Sequence, residues 1–324
     1  LYERQDRSAV ESLRQLLRNS DVPQARQHAL WSLSGLKALT VADLVVALED
    51  RHAAVQEHAV RLSESRLDVS PELLQRVIAF SRGDDVRLKT QAAFSLGESD
   101  DPAAAAALAQ VAVAASDNVW LRTAALSSAG RQPLVLLQTL LRQRVDTAIL
   151  RQLVAMVGSG GQPGDVAAVL NLLSEVEDAA RVPSLLLSLG TALRERGLAW
   201  SDVTVSPNAG SMLAGHLRRA RETAIDGSVA DADRAQAIQL LACLPLNDSG
   251  PSIEALLDSR QPESVQVAAL TALAAFQDPV VAERILAGWD QQSPPVRRTA
   301  ISTLLSRPQW TLAFLQAATD DDVG

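Results

Sequence analysis

The sequence repeats one arrangement of polar and apolar positions over most of its length. Most copies contain an acidic or turn residue, then Arg, Lys or Gln, then Ala three residues later and Leu or Ala after four more. We call the first Ala of each copy its anchor, and the anchors are Ala29, Ala59, Ala92, Ala125, Ala237, Ala269 and Ala300. Within each of the two runs they lie 30 to 33 residues apart, which is typical of helical-hairpin repeats.

A second apolar segment precedes each anchor segment. In the first repeat it contains Leu13, Leu16 and Leu17, which share one face of a helix. Prolines lie near the proposed helix starts, and Gly35 and Gly97 follow proposed helix ends, as is usual for helix boundaries. Each repeat is therefore predicted to form two helices.

The anchor alanines have a steric role in this prediction. Two helices packed about 8–10 Å apart need a small side chain at their closest contact. A single hairpin cannot cover its own apolar face, so neighbouring hairpins stack and bury a continuous core. We therefore predict an all-α fold, a right-handed α-solenoid of about nine helical hairpins.

The repeat is degenerate over residues 135–190, where Val154 and Ser184 occupy the positions at which anchors are due. From Ser184 to Ala237 the step is 53 residues, about 20 more than one repeat. Because the excess is rich in Gly, Pro, Ser and Asn, we predict a loop inserted near residues 198–211. The glycine-rich segment 158–164 predicts a second irregular connection. We expect residues 1–324 to form a single solenoid domain.

Composition and charge narrow the possible functions. Hydrophobic residues make up 47% of the chain and aromatic residues only 3%, so Ala, Leu and Val carry the apolar mass, which favours helices. The 30 Lys and Arg against 38 Asp and Glu give a net charge of -8. An acidic protein has no general affinity for phosphate backbones. We therefore expect no nucleic-acid partner.

The single cysteine and the shortness of the apolar stretches exclude further kinds of site and segment. Cys243 is the only cysteine, so this chain has no internal disulfide, no Cys-based zinc site and no CxxCH haem attachment. No stretch approaches the roughly 18 apolar residues of a membrane span, and charged residues near the start oppose an apolar signal segment there. We expect no direct membrane insertion. The chain opens at Leu1 rather than Met, which suggests a piece of a longer protein.

Three of the four histidines, His28, His52 and His58, lie near the start. His28 and His58 each precede an anchor, so stacking places them on neighbouring helices about 8–10 Å apart. A metal pair is one interpretation, but one ion would require the two rings to lean together. We favour packing. No catalytic, cofactor-binding or metal-ligating residue is predicted in this chain.

Basic residues recur three positions before the anchors, namely Arg26, Lys89, Arg122, Arg234 and Arg297. One interpretation is a binding rail for phosphate or acidic peptides. The other is an internal ladder, because Asp21, Asp85, Asp117 and Asp231 precede them by three to five residues. At that spacing an acidic residue caps a helix start and pairs with a base of the same or the next repeat. We favour the internal ladder.

Two features are candidates for contact with a partner. Arg218, Arg219 and Arg221 form the densest basic cluster and would suit an anionic partner, although they do not share one helix face. Trp200 falls in the predicted inserted loop, where an exposed indole would anchor a protein partner. Cys243 lies on an apolar helix and is expected to be an inert core thiol.

The repeats resemble HEAT repeats, particularly the shorter bacterial kind. The segments 1–17, 25–36, 55–64, 92–98 and 303–317 resemble more narrowly the HEAT region of large planctomycete and verrucomicrobial proteins described as membrane-bound dehydrogenases or haem-binding proteins. That resemblance implies a β-propeller before the solenoid and a CxxCH segment with haem c after it, in a periplasmic or other extracytoplasmic location. Both catalytic neighbours are missing from this chain, so dehydrogenase activity is not expected of it.

Three functions follow from this pattern. The first is a non-catalytic scaffold that binds proteins or holds neighbouring domains of the same polypeptide. The second is a HEAT-like enzyme such as a DNA glycosylase or a bilin lyase, although the acidic balance opposes a glycosylase. The third is a free-standing scaffold unrelated to redox chemistry. We favour the first.

Overall fold

The computed structural model describes residues 5–115, 118–143 and 145–319. In this part of the chain all regular structure is helical, as predicted, with nineteen α-helices. They are α1 Val10–Asn19, α2 Pro23–Gly35, α3 Val41–Leu48, α4 Ala53–Ser63, α5 Pro71–Arg82, α6 Val86–Leu96, α7 Pro102–Ala114, α8 Val119–Ser127, α9 Pro133–Leu141, α10 Thr147–Gly160, α11 Pro163–Leu173, α12 Val182–Glu195, α13 Pro207–Ile225, α14 Asp231–Leu241, α15 Leu246–Glu254, α16 Glu263–Leu273, α17 Val280–Leu286, α18 Pro294–Leu304 and α19 Pro308–Thr319.

Local sequence signals set most helix starts. Proline occupies the first turn of α2, α5, α7, α9, α11, α13 and α18, where its missing N–H costs no hydrogen bond. Thr40 and Asp43 form a capping box at the start of α3. Asp85 caps α6 by accepting from the backbone N–H groups of Arg87 and Leu88, as predicted. The same prediction is wrong for Asp21 and Asp231, because Val22 and Ala230 occupy the N-cap positions of α2 and α14 and no side chain caps either helix. Most helix starts are therefore determined by the local sequence.

The chain divides into two compact units, unit 1 (Leu1–Leu153) and unit 2 (Val154–Gly324). In unit 1 the helices pair as α1/α2, α3/α4, α5/α6 and α7/α8. We call the second helix of each pair the B helix. The B helices α2, α4, α6 and α8 contact one another in series. The anchors Ala29, Ala59, Ala92 and Ala125 are fully buried, so they occupy the tight positions expected of them.

Unit 2 repeats this arrangement. α13 pairs with α14 and α15 with α16, and the B helices α12, α14, α16 and α18 contact one another in series. The anchors Ala237, Ala269 and Ala300 are buried. Ser184, predicted as an anchor substitute, is only half-buried. A Cβ added to Gly190 would instead lie 2.7 Å from Cys243 Cβ, so the close contact of α12 is displaced toward its C-terminal half.

Two predicted irregular segments are shorter in the structure. α10 continues to Gly160, and α11 begins at Pro163, so most of the segment 158–164 is helical. Gly158 is used there for close packing, since a Cβ on it would lie 2.7 Å from Ala192 Cβ. The inserted loop predicted near 198–211 ends at Pro207, where α13 begins. Much of the extra length lies in α13, which has 19 residues. The single domain predicted over 1–324 stays a prediction.

None of the helices in the described part of the chain combines the length and apolarity that crossing a bilayer demands.

Candidate functional site

The exposed side of the B helices in unit 1 carries an unusual set of side chains. Each B helix packs against its own hairpin partner and against neighbouring B helices, which leaves one side open. We call this open side of α2, α4, α6 and α8 the B face of unit 1. Trp31, Phe94 and Trp120 on it are 40%, 47% and 84% exposed. Large aromatic side chains left in water indicate an interaction surface more than a packing role.

The repeat register places an arginine beside each of these rings. Trp31, Arg61 and Phe94 each lie two residues after the anchor of α2, α4 and α6, respectively. Arg87 and Trp120 each lie five residues before the anchors of α6 and α8. Equivalent positions on adjacent packed helices are about 8–10 Å apart. Each ring on the B face of unit 1 therefore has an arginine at the equivalent position of an adjacent B helix.

Neighbouring side chains position two of the rings. His58 on α4 meets Trp31 on α2 edge to face, with ring centroids 5.9 Å apart and planes at 78°. Trp120 lies in the first turn of α8, which Asn118 caps by accepting from the Leu121 N–H at 3.0 Å. The orientation of Trp31 and the helical turn that carries Trp120 are thus fixed by contacts within unit 1.

The histidines serve packing and capping in this arrangement. His58 packs on Trp31, and His52 caps α4 because its Nδ1 accepts from the Ala54 N–H at 3.2 Å. Among the residues that the structure describes, no three His, Cys, Asp or Glu side chains are grouped to hold a metal ion. The interpretation of His28 and His58 as a metal pair concerns only two residues and is not tested by this result.

The charged groups on the B face of unit 1 differ in whether they have partners. Arg87 forms an ion pair with Glu57 at 2.9 Å, so these two charges compensate. Glu64 is engaged by the Ser95 hydroxyl at 2.7 Å. Arg61 is exposed and forms no hydrogen bond or ion pair with another described residue. It is the cation on this face that is available to an incoming group.

The recurrent basic residues form an internal ladder at two positions. Arg26 is 3% exposed and binds Asp50 through two bonds of 2.6 and 2.7 Å. The partner is Asp50 of the next repeat rather than Asp21, which pairs with the exposed Arg51 at 2.8 Å. Arg234 is also buried and donates to Gln261 at 2.6 Å and to the Ala224 carbonyl at 3.0 Å. Neither guanidinium is available as a binding rail.

The other recurrent basic residues, Lys89, Arg122 and Arg297, are not part of this buried ladder. Lys89 and Arg122 are half-buried, and Asp117 lies outside the described residues. Arg297 stacks over the Trp289 ring, with its Cζ 5.4 Å from the ring centroid. None of these three residues is fully exposed, and Arg297 is held against Trp289.

The buried pair shifts the titration of both groups. Burial acts to raise the pKa of Asp50, but hydrogen bonds from Arg26 and from the His52 N–H, with the charges of Arg26 and Arg51, outweigh it and hold this pKa below its ordinary value of 3.8. The hydrogen bond from Arg26 to Asp50 is the main cause that raises the pKa of Arg26. Both groups therefore remain charged inside unit 1 at neutral pH.

Trp200 does not have the exposure predicted for it. It is 9% exposed and lies in a short 3-10 turn, Trp200–Asp202. Its ring fills the space left by Gly190 on α12, since a Cβ there would lie 2.5 Å from Trp200 Cζ2. A glycine within α12 is the sequence signal that could have indicated a close contact at this point. The hypothesis of Trp200 as an exposed anchor is wrong because tertiary contacts cover the indole.

Cys243 lies beside the same close contact. It is buried, and burial raises the pKa of its thiol, outweighing the charge of Arg194 and the contact with Thr191. A thiol with a raised pKa is a poor nucleophile. The expectation of an inert core thiol agrees with this environment.

The three arginines of α13 are exposed as expected, but they face different surroundings. Arg218 lies 3.9 Å from Glu222 on its own helix. Arg221 reaches the Asp248 carbonyl at 3.5 Å. Arg219 lines a cleft of about 220 Å³ together with His216. The structure thus does not bring the cluster together as one anion site.

Comparison with known proteins shows the type of fold. No protein-family model matches the sequence, and no curated protein matches it. A mutant of Kap121p is similar at a TM-score of 0.62 and 16% sequence identity, over 92% of this chain and 37% of that protein. Kap121p itself is similar at a TM-score of 0.60 and 15% identity, over 92% and 37%. The CpcE and CpcF complex of phycocyanin lyase from Nostoc matches at 17% identity, over 91% and 94%, with a TM-score of 0.30 that carries no argument.

Kap121p is a HEAT-repeat karyopherin. This chain has a HEAT-like repeat fold. The predicted all-α solenoid is thereby confirmed. At 15–16% identity the likeness concerns the fold alone. The chain spans 37% of the length of Kap121p.

Proposed function

We propose that this chain is a non-catalytic scaffold that binds a segment of another protein, or of a neighbouring domain, through the B face of unit 1. The observation that carries the proposal is the exposure of Trp31, Phe94 and Trp120 on three of the four B helices of unit 1. Trp and Arg are the residue types enriched at the energetic centres of protein interfaces. HEAT-repeat proteins offer extended surfaces of stacked helices for such contacts.

The geometry favours an extended segment with apolar side chains and acidic residues. Trp31 and Phe94 are two layers apart, about 16–20 Å, which an extended chain covers in about six residues. Arg61 lies on the layer between them and has no partner among the described residues. A carboxylate placed between two apolar side chains would pair with it. A basic segment would meet the Arg61 guanidinium and be repelled.

Selection from a random peptide library displayed on phage tests this proposal. The triple variant Trp31→Ala, Phe94→Ala, Trp120→Ala should lose the selected peptides while its melting temperature stays close to that of the wild type. The matched control is Val69→Ala, Leu312→Ala, Leu315→Ala, which removes three exposed apolar side chains elsewhere and should keep binding.

Two results would contradict the proposal. Selection of no peptide would remove the binding function, and equal binding by both triple variants would remove the B face of unit 1 as the site. Selected peptides rich in Lys or Arg would leave the surface in place but overturn the acidic partner.

We further propose that the chain is one region of a larger polypeptide whose adjacent segments carry haem c outside the cytoplasm. The resemblance of five segments to the solenoid of haem-binding dehydrogenase-like proteins supports this. Any haem would attach to cysteines outside these residues, because Cys243 is alone and buried. Reading the gene on both sides of these residues tests the proposal. A downstream CxxCH is expected, and a reading frame without one would favour a free-standing scaffold.

A further inference from the structure

Unit 2 contains a cleft that the B face of unit 1 and the proposed function do not involve. It lies between α13 and α14, with the start of α12 at one end, and has a volume of about 220 Å³. That is the space of about seven water molecules at their share of liquid volume, which is less than a drug-sized ligand needs. Only a small group fits.

Two matching helical stripes form its walls. α13 contributes residues at positions i, i+3, i+4 and i+7, and α14 does the same. The residues are His216, Arg219, Ala220 and Thr223 on α13, and Asp233, Gln236, Ala237 and Leu240 on α14. Ala180 and Pro183 complete the lining. The cleft thus combines apolar residues with five polar side chains.

The five polar side chains have no partners within the protein. In the described part of the chain, none of His216, Arg219, Thr223, Asp233 and Gln236 forms a side-chain hydrogen bond or an ion pair with another residue. The neighbouring Arg218 and Arg221 do have contacts, with Glu222 and with the Asp248 carbonyl. Side chains that converge on a cavity while their neighbours are engaged are what a binding site requires.

The charges select the ligand. Burial, and then the charge of Arg219, lower the pKa of His216, so His216 is neutral at neutral pH and offers one donor and one acceptor. Arg219 is then the only cation on the cleft wall, and Asp233 opposes a second negative charge on the ligand. A dianion such as phosphate is disfavoured, whereas a carboxylate matches one guanidinium.

We infer that this cleft binds a small monocarboxylate with an apolar body, its carboxylate on Arg219 and its apolar part against Ala220, Ala237 and Leu240. His216 donates a second hydrogen bond to the carboxylate. Thr223 and Gln236 donate the remaining hydrogen bonds to the carboxylate, whereas Asp233, which can only accept, makes none with it. Both a free short-chain acid and the C-terminal residue of a polypeptide have this chemistry.

Titration with 3-methylbutanoate, followed by NMR of the His216 ring and by calorimetry, tests the inference. The neutral 3-methylbutanamide is the charge control. We expect a saturable shift with the acid and at least tenfold weaker binding of the amide, because only the acid forms charge-assisted hydrogen bonds with the Arg219 guanidinium. N-acetylvaline in a parallel titration separates the two sources, since tighter binding than the short acid indicates a chain terminus.

Variants of α13 provide matched controls. Arg219→Gln should weaken binding at least tenfold, Arg219→Lys should weaken it less, and Arg218→Gln should leave it unchanged. Melting curves establish that each variant is folded, which is expected because both arginines are exposed. No saturable shift, equal binding of acid and amide, or equal losses in the Arg218 and Arg219 variants would each overturn the inference.

Discussion

The two units are built on the same repeat yet expose different side chains on their B helices. Two residues after the anchors, unit 1 has Trp31, Arg61 and Phe94, whereas α14, α16 and α18 have Gln239, Thr271 and Ser302. Residues 1–153 carry 18 basic and 18 acidic residues, while residues 154–324 carry 12 and 20. The anchors fix stacking in both units, so positions that stacking leaves open are where the two diverge.

The buried ladder shows a second difference. In unit 1 Arg26 is neutralised by Asp50, whereas in unit 2 Arg234 binds the neutral Gln261 and a carbonyl. The same packing position therefore uses an ion pair in one unit and dipoles in the other. Removing the charge partner of a buried ion lowers the free energy of unfolding strongly. The Arg26–Asp50 pair and the Arg234–Gln261 pair should therefore respond differently to substitution.

The largest expected change in stability comes from breaking the Arg26–Asp50 ion pair. Asp50→Asn leaves the Arg26 guanidinium buried without a counter-charge and should lower the free energy of unfolding by about 3–5 kcal/mol. Urea denaturation measures it. Asp21→Asn is the control, because that carboxylate is almost fully exposed and should change stability by less than about 1 kcal/mol. Similar losses in both variants would show that burial of the pair is unimportant.

The Arg26–Asp50 ion pair also makes the stability of the protein depend on pH in a defined direction. The pKa of Asp50 is lowered in the folded state, so its contribution is present above the ordinary pKa of 3.8 and is lost as the pH falls through the folded value. Denaturation midpoints of the wild type should fall more steeply than those of Asp50→Asn below about pH 4. Parallel curves would contradict the assignment.

A smaller effect is expected from a single aromatic on the B face of unit 1. Trp120→Ala should weaken binding of a selected peptide by about 2 kcal/mol, or roughly thirtyfold. Its stability should change little, since the side chain is 84% exposed. Fluorescence anisotropy measures the affinity. Val69→Ala is the control at similar exposure, and an equal loss there would argue against a specific site.

Transfer of the pattern to unit 2 tests whether these side chains suffice. Gln239→Trp, Thr271→Arg and Ser302→Phe reproduce on α14, α16 and α18 the arrangement of Trp31, Arg61 and Phe94. In a chain whose unit 1 aromatics are replaced by Ala, the graft should restore binding by about tenfold, or 1.4 kcal/mol. Failure to restore any binding would show that other features of unit 1 are required.

The smallest expected change in stability concerns the hydrogen bond between Arg234 and the neutral Gln261. Gln261→Asp gives Arg234 a charged partner and should raise the free energy of unfolding by about 1 kcal/mol, the difference between a charged and a neutral hydrogen bond. Thermal denaturation at pH 7 measures it. A loss of stability would mean that the carboxylate costs more to bury than the pair returns.

Some features of the site were readable from the sequence and others were not. The spacing of the anchors assigns Trp31 and Trp120 to repeats, but it does not show whether such rings are covered or exposed. Trp200 was predicted to be exposed, and the prediction is wrong because the space at Gly190 that its ring fills is formed by another segment. Arg219 was singled out only within a cluster, and its separation from Arg218 and Arg221 depends on α13 and α14 packing together.

The sequence by itself determined the helices, their starts and the hairpin repeat, because proline and capping residues act through neighbours a few positions away and the anchors recur at a regular spacing. Tertiary structure decided which aromatic side chains are covered, which aspartate pairs with Arg26, and how far α13 extends into the predicted loop. Those outcomes depend on contacts between layers about 30 residues apart, where burial and charge pairing outweigh local preference.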